Sequence, residues 1–157
     1  MSTRSTTHFT YGNGHGYGPT AIIYRHGDGY PDAAGVDILR FLDECSKLKD
    51  PRFRDPSYLA AKYVVFLADM FNYDWDDSLN EIKPESRLEF ISVGVTQQDP
   101  ADIEYRYVID CENLTPEGRP TVKCFSISDN WDSEKHQHRP ASEWTLTEVE
   151  IPVPEAA

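Results

Sequence analysis

One stretch of this chain leaves little freedom. Asp55-Pro56 is followed by Leu59, Tyr63, Phe66, Leu67 and Met70. A carboxylate directly ahead of a proline is helix-start chemistry: the side chain accepts from bare first-turn amides, and proline sits where its missing N–H costs nothing. The apolar residues then recur at three- and four-residue steps, so they share one stripe. The spacing predicts a helix over residues 56–71, with Ala60 and Ala61 allowing another element to come close. A helix with a single apolar stripe must bury it against a partner layer.

The rest of the chain supplies that layer. Residues 6–11 and 20–24 are β-prone and flank Gly12-Asn13-Gly14-His15-Gly16-Tyr17-Gly18-Pro19, so the pattern is a hairpin with a long, mobile tip. A first helix is expected over residues 33–48, marked by Ile38, Leu39, Phe41, Leu42, Cys45 and Leu48. Gly35 in its first turn implies close packing or a late start. Residues 49–55 connect the two helices, and residues 72–86 look irregular and acidic. Strands are then expected over 88–96, 103–111, 121–128 and 143–151. Ile103, Tyr105, Tyr107 and Ile109 fall on one face of the second. Residues 97–102, 112–120 and 129–141 form the intervening turns and loop. The expected fold is α+β, a single domain over residues 1–157: an antiparallel sheet of five to six strands with two helices on one face and a flexible tail over 152–157.

Charge narrows the function classes. The 157 residues carry a net charge of −12, and a nucleic-acid binder needs a basic footprint. The first 66 residues sum to +1 and the remainder to −13, so the acidity belongs to the second half. Such a half is a solvated surface or a face for a basic partner, which includes mimicry of nucleic acid. No apolar run is long enough to span a membrane, and residues 1–7 lack the apolar stretch of a signal peptide. Cys45, Cys111 and Cys124 contain no paired spacing, and in a reducing cytoplasm they are expected to be small buried hydrophobes.

The densest polar cluster is Arg25-His26-Gly27-Asp28-Gly29-Tyr30-Pro31-Asp32, between a strand and a helix. Arg25 suits a phosphate or carboxylate through its fork. His26 and Asp28 suit a shared proton, with Asp28 expected to hold the imidazole while Arg25 projects to the other face. The glycines leave amides bare. Asp28-Gly29 is equally ordinary turn chemistry. Arg25, His26, Asp28 and Tyr30 are the candidate ligand- or partner-binding residues, and none is assigned a catalytic or metal role. His136-x-His138 lacks a third ligand of fixed geometry. Asp74, Asp76 and Asp77 lack the glycine and glutamate of a calcium loop. No nucleophile elbow, phosphate loop or dinucleotide fingerprint occurs, and no cofactor is expected.

The string Tyr24-Arg25-His26-Gly27-Asp28-Gly29-Tyr30-Pro31, then Gly35 and Leu39, with Tyr58-Leu59-Ala60-Ala61 further on, resembles a pattern in small uncharacterised phage and bacterial proteins. There, too, a strand enters such a turn and a helix follows. The resemblance covers about residues 20–66 and implies a phage or prophage origin rather than a mechanism. The expectation for function is therefore a cytoplasmic, non-enzymatic interaction protein that meets a basic protein partner. Tyr73, Trp75, Trp131 and Trp144, set among acids, are its candidate anchors. The alternative is a nucleotide- or phosphate-binding protein, or a hydrolase, that uses Arg25, His26 and Asp28.

Overall fold

The computed structural model describes residues 3–12, 18–79 and 92–154, with backbone alone for residues 71–79. The expected loop tip falls partly on residues 13–17. The first residues of the 88–96 strand, much of the 72–86 segment and the last three residues of the tail also lie outside the described residues.

Strand β1 (Ser5–Thr10) and β2 (Ala21–Arg25) form the expected antiparallel hairpin, with Thr7 opposite Ile23. A π-type turn, Pro31–Gly35, leads into helix α1 (Val36–Ser46), so the late start read from Gly35 holds. Close packing holds as well, because a Cβ on Gly35 would lie 2.8 Å from the Ile151 side chain. A short 3-10 turn, Pro51–Arg54, buries Phe53 and precedes helix α2 (Pro56–Leu79). Asp55 caps α2 as expected, accepting from the Ser57 amide at 2.9 Å.

Helix α2 outruns the expected boundary by eight residues. Asp74, Asp76 and Asp77 give that stretch the composition of a loop, but no glycine or proline interrupts it before Pro84. Aspartate is a modest helix former, and only glycine and proline carry a real penalty.

Four main strands follow: β3 (Val93–Thr96), β4 (Tyr105–Leu114), β5 (Pro120–Ser128) and, after a two-residue ribbon formed by β6 (Trp131–Asp132) and β7 (Gln137–His138), β8 (Thr145–Val149). The six-stranded sheet runs β3-β2-β1-β4-β5-β8. It is mostly antiparallel, as expected, with one parallel pair. β1 and β4 are parallel, with Thr7 beside Tyr107 and Phe9 beside Ile109. The pair is parallel because the chain leaves β3 at the Ile22 end of the sheet and begins β4 beside Ser5 at the other end. β3 joins the outer edge beside β2, and the chain must return past β2 and β1 to begin β4.

The odd-numbered residues of β1, β2 and β4 face the helices. Phe9, Ile23, Tyr107 and Ile109 form one core with Ile38, Phe41, Leu59, Tyr63 and Leu67. Leu48, expected on the buried face of α1, lies just past its end and is exposed. Ile103 also departs from expectation. It precedes β4 and joins Ile127 and Trp144 in a smaller cluster, against which Tyr24 and Leu146 pack. The second sheet face thus carries a small apolar cluster near one end.

Candidate functional site

The Arg25–Tyr30 turn is built by the end of β2 and the entry to α1. Gly29 is its pivot. The Gly29 amide donates to the Thr3 carbonyl at 2.9 Å, and its own carbonyl accepts from the Tyr107 hydroxyl at 2.7 Å. A side chain there would collide with Ser5 and the Thr3 carbonyl, each 2.9 Å from a would-be Cβ. The chain therefore has to be glycine at this contact.

The four candidate residues do not converge. Arg25 turns to the helical face, where its Nη1 donates to Asp37 at 2.8 Å and its Nε to the Gly27 carbonyl at 2.9 Å. Its side chain is 5% exposed, so the guanidinium is an internal strut. His26 is exposed on the other face and meets the Tyr24 hydroxyl through Nδ1 at 2.8 Å, in place of the expected Asp28. Asp28 adopts φ 53°, a left-handed conformation that aspartate tolerates, and its carbonyl accepts from Ala34. Tyr30 stays exposed, its ring edge-on to Tyr105.

A second polar cluster had no counterpart in the sequence analysis. Residues 97–102 cross the face of the sheet away from the helices. From that crossing Asp99 inserts its carboxylate between β1 and β4, leaving it 3% exposed. Oδ1 accepts from the Thr6 hydroxyl at 2.6 Å and meets His8 Nε2 at 2.7 Å. Oδ2 accepts from Arg106 Nε at 2.8 Å and from Arg106 Nη2. Burial pushes the Asp99 carboxyl up, but the hydrogen bonds from His8 and Thr6 and the charges of His8 and Arg106 outweigh it, so its pKa falls below the ordinary value. Arg4 and Asp102, 2.7 Å apart, pin the end of the crossing. The only sequence signal was alternation. Thr6 and His8 sit at even positions of β1, and Arg106 does so in β4.

The third feature is a groove of about 830 Å³ between α1 and α2, on the side away from the sheet. Leu48, Tyr58 and Val65 line it and are 51%, 46% and 61% exposed. Phe66 and Met70 line it too, and Phe66 packs against Phe41 with ring centroids 5.4 Å apart. Lys62 on the early part of α2 reaches Asp50, just after α1, at 3.4 Å. The two helices are therefore antiparallel, and the groove runs along both. Apolar surface gathered in this way is a recognition feature.

Of the expected aromatic anchors, Trp144 is buried and donates from Nε1 to the Arg139 carbonyl at 2.9 Å, so it is a core residue. Trp131 is 48% exposed and packs on His138. Tyr73 and Trp75 belong to the backbone-only part of α2. His136 takes a left-handed turn conformation at φ 51°. Among the described residues no three His, Cys, Asp or Glu side chains are arranged to hold a metal ion, and no helix is long and apolar enough to cross a membrane. Cys45, Cys111 and Cys124 are buried free thiols. Tyr107 pairs with Cys124, which sets Cys111 four residues further along β4.

No family model, characterised protein or solved structure matches this chain.

Proposed function

We propose that this chain is a non-enzymatic binding protein, of the phage-borne kind its turn motif resembles, and that it recognises a protein partner through the groove between α1 and α2. The observation that carries this reading is the gathering of Leu48, Tyr58 and Val65, all substantially exposed, around one open apolar groove. Large apolar side chains left in water cost solubility unless they are used. A net charge of −12 favours a basic partner. Three buried, unpaired thiols favour a reducing compartment, the cytoplasm. The alternative, a nucleotide- or phosphate-binding protein or hydrolase built on Arg25, His26 and Asp28, has less support. The Arg25 guanidinium that would grip an anion is already bound to Asp37.

A peptide-library selection tests the proposal. Peptides enriched on the native protein should lose binding to Val65→Glu, an exposed helical site where the substitution leaves the fold intact. They should keep binding to His26→Ala. Enriched peptides with the reverse sensitivity would move the site to the turn and overturn this reading.

A further inference from the structure

We infer that β8 receives an extended, basic segment of a partner protein as an additional strand of the sheet, with one apolar side chain of that segment seated in the cavity beside Val149 and Ile151. The surface is separate from the α1–α2 groove, and the inference stands independently of it.

The backbone of β8 is only half used. β8 ends the six-stranded sheet, bonded on one side to β5 and bordered on the other by no described strand. The Ile127 amide donates to the Glu104 carbonyl at 2.9 Å, so Ile127 turns its backbone groups toward β4. Alternation along β5 turns those of Cys124 and Ser126 toward β8, where they meet Val149 and Thr147. Leu146 and Glu148, opposite Ile127 and Phe125, therefore point their amides and carbonyls outward. Lysine, proline and bulges close such edges in other sheets, and Thr145–Val149 has none of them. An edge of this kind offers an extended chain a ladder of backbone hydrogen bonds.

Two further features define the occupant. A cavity of about 530 Å³ opens beside this strand, lined by Leu39 of α1 and by Val122, Val149 and Ile151, and it has room for an apolar side chain of the added strand. Backbone pairing supplies affinity, and such a pocket selects the side chain. The charge along the edge is acidic. Residues 141–154 carry Glu143, Glu148 and Glu150, all exposed, and no lysine or arginine. None of these glutamates forms an ion pair with a described residue. Lys123 of β5 is the one base lining the cavity. Three glutamates against one lysine leave an acidic excess, which lysine or arginine at alternate positions of a partner strand would meet. A second copy of this chain would instead bring the same glutamates again, and like charges on adjacent strands are destabilising.

The test uses the full chain and two displayed pools of extended peptides with randomised Val/Ile/Leu at alternate positions. One pool carries lysine at the intervening positions and the other glutamate. The lysine pool should be enriched, and its best binders should bind Val65→Glu as well as they bind the native chain. They should weaken severalfold on Glu148→Gln, and again as salt rises from 50 to 300 mM. Glu148→Pro removes an outward amide without touching a bond to β5, a change edge strands tolerate, and should abolish binding. Methylating alternate amides of the peptide leaves this chain unaltered: one set of positions should abolish binding and the other should spare it. Enrichment of the glutamate pool, binders that survive Glu148→Pro, or an equal response to the two methylation sets would overturn the inference. Binders lost on Val65→Glu would belong to the groove and would overturn it as well. Sedimentation showing a dimer that Glu148→Pro dissolves would give the edge to a second copy of this chain, and the inference would fall.

Discussion

Asp99 is the residue on which most of the sheet's second face depends. It draws together β1 and β4 and fastens the segment that crosses them, through Thr6, His8 and Arg106. Replacing it by asparagine leaves Arg106 and His8 facing a neutral group, and should cost about 3 kcal/mol at pH 7, the low end for breaking a buried pair, since both partners keep some water contact. Its pKa is depressed on folding, so its contribution is complete above the unfolded value near about 3.9 and is lost as pH falls through the lower folded value. Urea unfolding at pH 7 and pH 3 should therefore show the gap between native protein and Asp99→Asn shrinking in acid. An unchanged gap would show that the carboxylate's charge is not what holds the crossing. Little of this was legible in Asp99-Pro100, which has the composition of a plain turn, because two of its three partners, Thr6 and His8, stand more than 90 residues away in β1. Local sequence carries no information about such a contact. The cysteines were legible because their chemistry is local. Burial pushes the Cys45 and Cys124 thiols up to about 11 and the Cys111 thiol to about 12. A thiol reagent at pH 8 should leave the native protein unlabelled and modify all three cysteines in denaturant. Fast labelling of the native state would mean that one of them is accessible.

At the scale of elements, α2 carries both the fold and the candidate site. Its inner stripe, Leu59, Tyr63 and Leu67, is at most 1% exposed, while its outer side supplies Tyr58 and Val65 to the groove. Leu67→Ala should cost about 2–5 kcal/mol in chemical denaturation, from lost transfer energy and the cavity left behind. A neutral result would mean that the helical register is wrong. Val65→Ala, two residues earlier on the outer side, should change stability by no more than about 0.5 kcal/mol. The stripe, the Asp55 cap and the hairpin were legible because each is written in residues a few positions apart. The end of α2 was not, because Asp74, Asp76 and Asp77 imitate loop composition while keeping helical backbone. Nor was the parallel join of β1 to β4, which depends on where the chain between them travels. The turn at Arg25–Tyr30 was visible as a special segment, but which of its groups bond within the chain was not. Arg25 braces α1 through Asp37, and Gly29 lets Tyr107 close onto the chain.

At the scale of the whole molecule, charge acts on folding and on binding with opposite signs. A net −12 on 157 residues makes the compact state repel itself. The ion pairs given by the structure do not relieve that excess. Arg4–Asp102, Arg25–Asp37 and Arg106–Asp99 each use a base that the chain has in short supply. Added salt shortens the screening length from about 30 Å at 0.01 M to about 8 Å at 0.15 M, less than the width of the domain. Repulsion between distant carboxylates is thereby removed, whereas the buried Asp99 contacts, made at hydrogen-bond distance and shielded from water, are weakened far less. Stability should therefore rise with sodium chloride from 10 to 300 mM. A gain of about 1 kcal/mol would raise the melting temperature by about 2–4 °C in a chain of this size. Binding of the proposed basic partner should respond the other way, losing affinity over the same range. Measured together by calorimetric melting and peptide titration, the two trends separate general self-repulsion from directed attraction. A melting temperature that falls with salt would mean that surface ion pairs outweigh self-repulsion, and the acidic excess would then lie where it does not oppose the fold.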